Sequence, residues 1–328
     1  MPQQTMSKPL PVRQAAPPRK GRRFAKSFKM NLPLYLMLLP GLIVLIINNY
    51  IPMIGAILPF KQYRYDKGFF SSLFNSPWVG FDNFKFLFSS PNILDATRNT
   101  ILYNLLFIAL GVIVPVAMAI SLHELLNKRL SRFYQSAFFL PYFLSWIIVS
   151  YLAFAFLSSD RGFLNNVMYS LGMQKVNWYY ELKAWPFILI FFQMWKYTGY
   201  NTVVYIASLS GVSEEYYEAA TLDGASKWQQ IRYITIPMLK TVMIITSLLL
   251  IGRIFNSDFG LFYNVPRNTG ALYPVTNVID TLVYVMLRNS NNVGMTAAAS
   301  LYQAVVGCIT VFAANLVVRK IDKEQALF

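Results

Sequence analysis

Six long apolar runs constrain this chain more than any other feature. They cover about 33–58, 99–122, 134–157, 185–209, 237–257 and 295–318, and each reaches the ~20 residues that a helix needs to cross hydrocarbon. In a bilayer every backbone polar group must be satisfied within the protein, so such runs fold as helices. Composition agrees: 55% of residues are hydrophobic and 13% charged, about half the charged share of a soluble domain. Pro40 and Pro52 in the first run predict kinks, since membrane helices tolerate proline where neighbours satisfy the freed carbonyls. Residues 274–288 are apolar but too short to span; they predict a short helix at the outer face, dipping inward.

The net charge of +15 is topological and does not indicate nucleic acid. Residues 1–30 carry eight Lys or Arg and no acid. With that tail cytoplasmic, 123–133, 210–236 and 319–328 fall on the same side. These segments and Lys240 hold 17 of the 29 basic residues. Basic excess sets orientation, so both termini are predicted cytoplasmic. The tail reads as disordered from its Pro and basic content, and its long apolar run with no small-residue cleavage site argues against a signal peptide. The single cysteine, Cys308, excludes a disulfide framework and reads as a small packing residue. One His and one Cys do not make a metal site, and His123 falls at a cytoplasmic helix end. No Gly precedes a Lys, so the chain lacks a phosphate-binding P-loop.

Between the fourth and fifth runs lies a polar island, Ser213 to Pro237. It reads as two short helices. Ser213 stands at an N-cap, with Glu214, Glu215 and Glu218 in the first turns, where the positive helix end favours acids. Ala219 and Ala220 form helix while permitting close approach to another surface. Asp223, Gly224 and Ala225 follow, and Gly224 can take the left-handed conformation that ends a helix. A second helix is expected at about 226–234, with Pro237 starting the fifth span.

This island resembles the EAA loop of the membrane subunits of ATP-binding-cassette importers: Glu218, Ala219, Ala220, then Gly224 and Ala225, then Ile231, Ile234 and Pro237. Weaker echoes of the carbohydrate-importer permeases occur in the same order: Gly80, Asn83 and Phe84 followed by Asn99 and Thr100, FFLPYF at 138–143, and GFLNNVMYSLG at 162–172. Single aromatic residues of this kind also serve as interface anchors. The resemblance covers roughly 33–328 and is nearest the branch that imports oligosaccharides of acidic or complex polysaccharides, such as alginate or pectin fragments. It implies an all-α polytopic membrane protein with six transmembrane helices, an importer-permease (MetI-like) core and both termini cytoplasmic. A basic tail at 1–30 would precede a permease domain at 31–328, with the coupling loop at 213–237. It implies that the loop docks on an ATPase subunit, and that ATP and Mg are bound by partner subunits, with no cofactor in this chain. The implied partners are a second homologous permease, two ATPase subunits, an extracytoplasmic solute-binding protein and an oligosaccharide. The implied location is the bacterial cytoplasmic (inner) membrane.

Candidates for the substrate path come from the residues themselves. Gln193, Lys196, Tyr197, Tyr200 and Asn201 share one helical face, and Lys196 falls near mid-depth. An intramembrane cation faces protein or water. The stripe either lines a cavity, where Gln, Asn and Tyr suit sugar hydroxyls and ring faces, or joins helices. Arg253 and Asn256, at i and i+3, sit near the outer end of span five; Arg253 either contacts an anionic substrate or snorkels to headgroups. Thr296, Ser300, Gln303 and Gly307 read as a packing face.

Other classes fit less well. An ion-coupled secondary transporter needs carboxylates or broken helices deep in the spans, and the acids here cluster in loops. A permease for a neutral oligosaccharide or another small solute shares the architecture. A membrane-embedded enzyme would need a nucleophile–base or metal constellation. Orientation is directly testable: an impermeant label should react at introduced sites 5 and 325 only from the cytoplasmic side, and labelling of site 70 from that side would overturn the topology.

Overall fold

A computed structural model describes residues 30–65, 68–290 and 292–321. The basic tail through residue 29 and the last seven residues lie outside this range. Among the described residues there is no β-strand, only an isolated bridge between Lys61 and Trp78. The chain divides into two compact units, 1–56 and 57–328.

In the first unit, α1 (Leu32–Leu45) passes through Pro40 without a break and has no buried residue. A π-helical turn, Ile46–Tyr50, follows. There the Asn48 and Asn49 amides donate to the carbonyls of Val44 and Leu45 at 3.0 and 3.2 Å, so these polar groups are satisfied within the helix. The helix becomes 3-10 from Ile51, next to Pro52, whose ring displaces the preceding turn.

The second unit is built around α2 (Pro91–His123). Helices α3 (Lys128–Phe139), α4 (Trp146–Leu157) and α5 (Trp185–Leu209) follow. Next come α6 (Glu215–Leu222) and α7 (Ile236–Ile251), then α8 (Ile279–Ser290) and α9 (Val293–Ile321). One buried cluster joins α2, α4 and α5 through Tyr103, Phe107, Val149, Trp185 and Leu189, with Leu261 and Phe262. A second joins α2, α5 and α7 through Val112, Val116, Tyr205 and Leu239. A third joins α2, α8 and α9 through Ile93, Ala96, Leu282 and Ala299.

Several expected segments differ from those observed. Among the described residues four helices are long and apolar enough to cross a membrane, Leu32–Phe60, Pro91–His123, Lys227–Ile251 and Val293–Lys320, against the six expected. The third expected span is a pair, Lys128–Phe143 and Trp146–Leu157, bent by 99°. Pro141 has no N–H to continue the ladder, and Ser145 caps the second half by accepting from the Ile148 N–H. Helix α5 has 25 residues, long enough to span, but its polar stripe dilutes its apolarity.

The fifth span starts and stops earlier than expected. Its helix begins at Lys227 and ends at Ile251, because a π turn at Ile231–Thr235 accommodates Pro237 and carries the second loop helix straight into α7. Residues beyond 251 fold back in short turns. The region expected as one outer helix at 274–288 is broken at Asn277. Its freed backbone groups are met from α2: Asn99 donates to the carbonyls of Pro274 and Asn277, both at 3.0 Å, Tyr103 to that of Val275 at 2.8 Å, and Thr100 Oγ1 accepts from the Ile279 N–H. Cys308, expected to be packed, is exposed.

Helices α3 and α5 approach closely at Gly199. A Cβ at Gly199 would lie 2.0 Å from the Phe138 carbonyl oxygen. Gly199→Val should therefore lower the melting midpoint of the detergent-solubilised protein, at a cost of about 1–3 kcal/mol or more. An unchanged midpoint would contradict this crossing.

Candidate functional site

The loop expected to couple, 213–237, carries more local structure than a solvated linker. The Ser213 hydroxyl accepts from the Glu215 N–H at 3.3 Å. Glu214, just before the helix, already has helical dihedrals, φ −62° and ψ −24°, and it is Ser213 that supplies the side-chain cap. Gly224 has φ +79°. The Gly224 N–H donates to Thr221 O at 3.0 Å and the Ala225 N–H to Ala220 O at 2.9 Å, which is a Schellman ending. A side chain at Gly224 would meet nothing within 4 Å, so glycine is required there by conformation and not by space. Ser226 and Gln229 then form a capping box that starts the helix leading into α7.

This loop is fastened to the spans at defined points. The Tyr217 hydroxyl lies 3.1 Å from Thr235 Oγ1, and its ring lies 6.1 Å from that of His123. Gln230 donates to Thr221 Oγ1 at 2.9 Å. Lys227 pairs with Glu124, just past α2, at 3.0 Å. Glu214 and Glu218 border an open cleft of about 630 Å³ together with His123, Lys128 and Leu222. Leu222 is 89% exposed and Trp228 67% exposed. Glu215, Ala219, Asp223 and Gly224 are exposed too, while Ala220 and Ala225 are half-buried. An apolar and acidic surface held on a rigid stem is suited to docking.

The expected polar stripe of α5 divides by residue. Lys196 is buried at 5% exposure. Its ammonium donates to the carbonyls of Tyr142 (2.9 Å), Pro141 (3.5 Å) and Leu144. Three donors thus meet three carbonyls freed where the α3–α4 pair breaks. The rings of Trp146, Tyr142 and Tyr197 lie 5.3–5.8 Å from the same charge. Gln193 is half-buried, and its Oε1 has no hydrogen-bond partner among the described residues. Tyr200 is 41% exposed and stacks on Tyr142 with centroids 4.4 Å apart and planes at 12°. Asn201 is half-buried beside it.

Sequence reasoning missed Asp258. It follows the fifth apolar run and reads as one more loop acid. In the fold its Oδ2 accepts from Trp146 Nε1 at 2.7 Å and from the Tyr197 hydroxyl at 2.8 Å. Its Oδ1 caps the Gly260 and Leu261 N–H groups. Gly260 belongs with it, since a Cβ there would lie 2.1 Å from the Trp146 ring. The pattern Ser-Asp-Phe-Gly, an acid two residues before a glycine, is the available signal. Arg253 is exposed, and Asn256 accepts from Gln303, which also donates to Phe255 O and to Asp280. In the α9 stripe Gln303 and Gly307, which approaches Phe255, therefore face the turns after α7. The GFDNF motif is a structural clasp: Gly80 has φ +57°, and Asn83 donates to the carbonyls of Pro59 and Lys61 at 2.8 and 3.0 Å.

Comparison with known proteins places the chain in a family. The family described as "Binding-protein-dependent transport system inner membrane component" matches residues 111–323, a range that includes the coupling loop and the Lys196–Asp258 cluster. The chain belongs to this family, and it is therefore a membrane permease with a role in transport rather than catalysis. It is 32% identical to Protein LplB of Bacillus subtilis, over 93% of this chain and 94% of that one. It is 31% identical to the polygalacturonan/rhamnogalacturonan transport system permease protein YteP of the same organism, over 89% of each. The crystal structure of a bacterial ABC transporter that imports the acidic polysaccharide alginate contains a chain 30% identical to this one. The two superpose with TM-score 0.83, covering 92% of this chain and 99% of the other. A second structure, with TM-score 0.82, holds that type of transporter with an alginate pentasaccharide-bound periplasmic protein.

The role of Lys196 can be separated from substrate contact. Lys196→Met would leave the carbonyls at the break unpaired, at about 1–3 kcal/mol for each buried group. Reduced thermal stability is expected, with equal loss of uptake for an acidic and a neutral oligosaccharide of the same length. A selective loss of acidic uptake at unchanged stability would assign the ammonium to the substrate instead.

Proposed function

We propose that this chain is one half of the translocation path of an ATP-driven oligosaccharide importer in the bacterial cytoplasmic membrane. Six helices cross the membrane in this reading: the four apolar ones, the bent pair as one crossing, and α5, with both termini cytoplasmic. A second, homologous permease completes the path. Two ATPase subunits bind ATP and Mg, and an extracytoplasmic binding protein delivers the sugar.

The observation that carries this reading is the exposed, rigidly capped helix α6. A docking helix transmits force only if it moves as one body with the spans. Here Tyr217, Gln230 and Lys227 tie it to the root of α7 and the end of α2. A displacement of α6 is thereby delivered to the helix at the centre of the core, which is what alternating access requires of a coupling element.

An acidic oligosaccharide is the favoured cargo, because YteP is named for polygalacturonan and rhamnogalacturonan and the superposed structure imports alginate, all of them uronate-containing polymers. The arabinooligosaccharide permease AraP of Halalkalibacterium halodurans, 29% identical, keeps a neutral oligosaccharide as the second reading. Uptake of a galacturonate oligomer and an arabinose oligomer by proteoliposomes holding the whole importer distinguishes the two.

Coupling is tested at Gly224. A β-branched residue in the left-handed conformation costs about 1–2 kcal/mol and unseats the α6 ending. Gly224→Val should insert and fold, yet lose most uptake and most binding-protein-stimulated ATP hydrolysis. Normal values for both would falsify the coupling role.

A further inference from the structure

The turns that follow α7 present an aromatic and cationic surface used by none of the contacts described so far. Phe259 and Tyr263 stand one turn apart, their rings stacked at 4.9 Å and 15°. Tyr284 of α8 meets both edge-on, at 4.9 and 5.2 Å. Arg288, one turn further along α8, donates a single N–H to the Tyr263 hydroxyl at 3.3 Å.

Tyr284 and Arg288 are exposed and Phe259 and Tyr263 half-buried, whereas the residues between the two rings face the core. Leu261 and Phe262 are 0% and 2% exposed, while Tyr284 is 40% exposed. Arg288 is exposed and belongs to none of the ion pairs among the described residues. The backbone beneath is fixed. Asp258 caps Gly260 and Leu261, Asp280 accepts from the Ser257 N–H at 2.7 Å, and Gln303 donates to Asp280. The rings ride on a π-helical turn, Gly260–Asn264, an irregularity frequent at functional sites. Asp258 also ties this turn to Trp146 and Tyr197 in the aromatic cluster of α4 and α5.

Aromatic faces accept the C–H faces of a sugar ring. A guanidinium with most of its N–H groups unused can take a carboxylate in bidentate fashion. We propose that Phe259, Tyr263, Tyr284 and Arg288 form an entry subsite for one uronate unit of an oligosaccharide, on the side of the membrane opposite the coupling loop. The Arg288 guanidinium holds the carboxylate and the rings hold the sugar face. This subsite rests on the oligouronate importer reading above.

The test uses the complete importer in proteoliposomes with saturating binding protein. The probes are a galacturonate pentamer and its methyl ester, which have the same length and rings without the charge. Arg288→Gln should lower the ratio of acid to ester uptake by about tenfold, and Arg288→Lys should fall between. Tyr284→Leu should reduce both probes together. ATPase subunits should co-purify normally with each variant. Wild-type uptake of the acid with an unchanged ratio in Arg288→Gln overturns the subsite and leaves the oligouronate reading standing. Wild-type uptake of neither probe overturns both. Loss of the assembled complex in Arg288→Gln and Arg288→Lys alike would make this face a subunit contact and overturn the subsite.

Discussion

The seat of the Lys196 ammonium in a broken helix organises the centre of this protein. A chain that turns by 99° between two apolar helices exposes carbonyls that lipid cannot satisfy. Lys196 supplies three donors to the carbonyls of Pro141, Tyr142 and Leu144. The exchange is mutual, because a lone cation at that depth would be expensive and here it meets carbonyls and three aromatic rings. Gly199, one turn on, lets α5 come close enough for the contact. Asp258 then fixes two of those rings, Trp146 and Tyr197.

The same accounting explains the region after α7. Irregular backbone survives in a membrane protein only where protein meets its polar groups. Asn99, Thr100, Tyr103 and Asn104 along one side of α2 bond to residues 254–279. From α9, Gln303 reaches Phe255 and Asn256. The polar residues near the ends of these apolar helices therefore act as a socket for a folded-back segment. That segment carries both Asp258 and the aromatic surface of Phe259 and Tyr263.

The loop proposed to couple, 213–237, combines strong attachment with an exposed outer face. Its ties are short and polar, whereas Leu222 and Trp228 stand exposed. A monomer gains nothing from such exposure, and a docked partner would gain from covering it. Attachment at the stem and exposure at the tip are what the proposed transmission of force requires.

The sequence by itself determined what local chemistry dictates. Apolar run length located helices but not their breaks or ends, and the Glu-Ala-Ala stretch with Gly224 gave a helix and its left-handed ending. Periodicity put Gln193, Lys196, Tyr197, Tyr200 and Asn201 on one face of α5, and the small stripe of α9 on another. It did not decide what those faces meet. The 99° break, the early end of the fifth span at Ile251 and the hub role of Asp258 depend on partners 50 to 180 residues away. Nothing in a window around Pro141 says that a lysine on another helix will satisfy its neighbours' carbonyls. Only the tertiary structure could turn Lys196 from a charge facing a path into the donor that holds a broken helix, because a buried charge is settled by whichever groups the fold brings within hydrogen-bond reach.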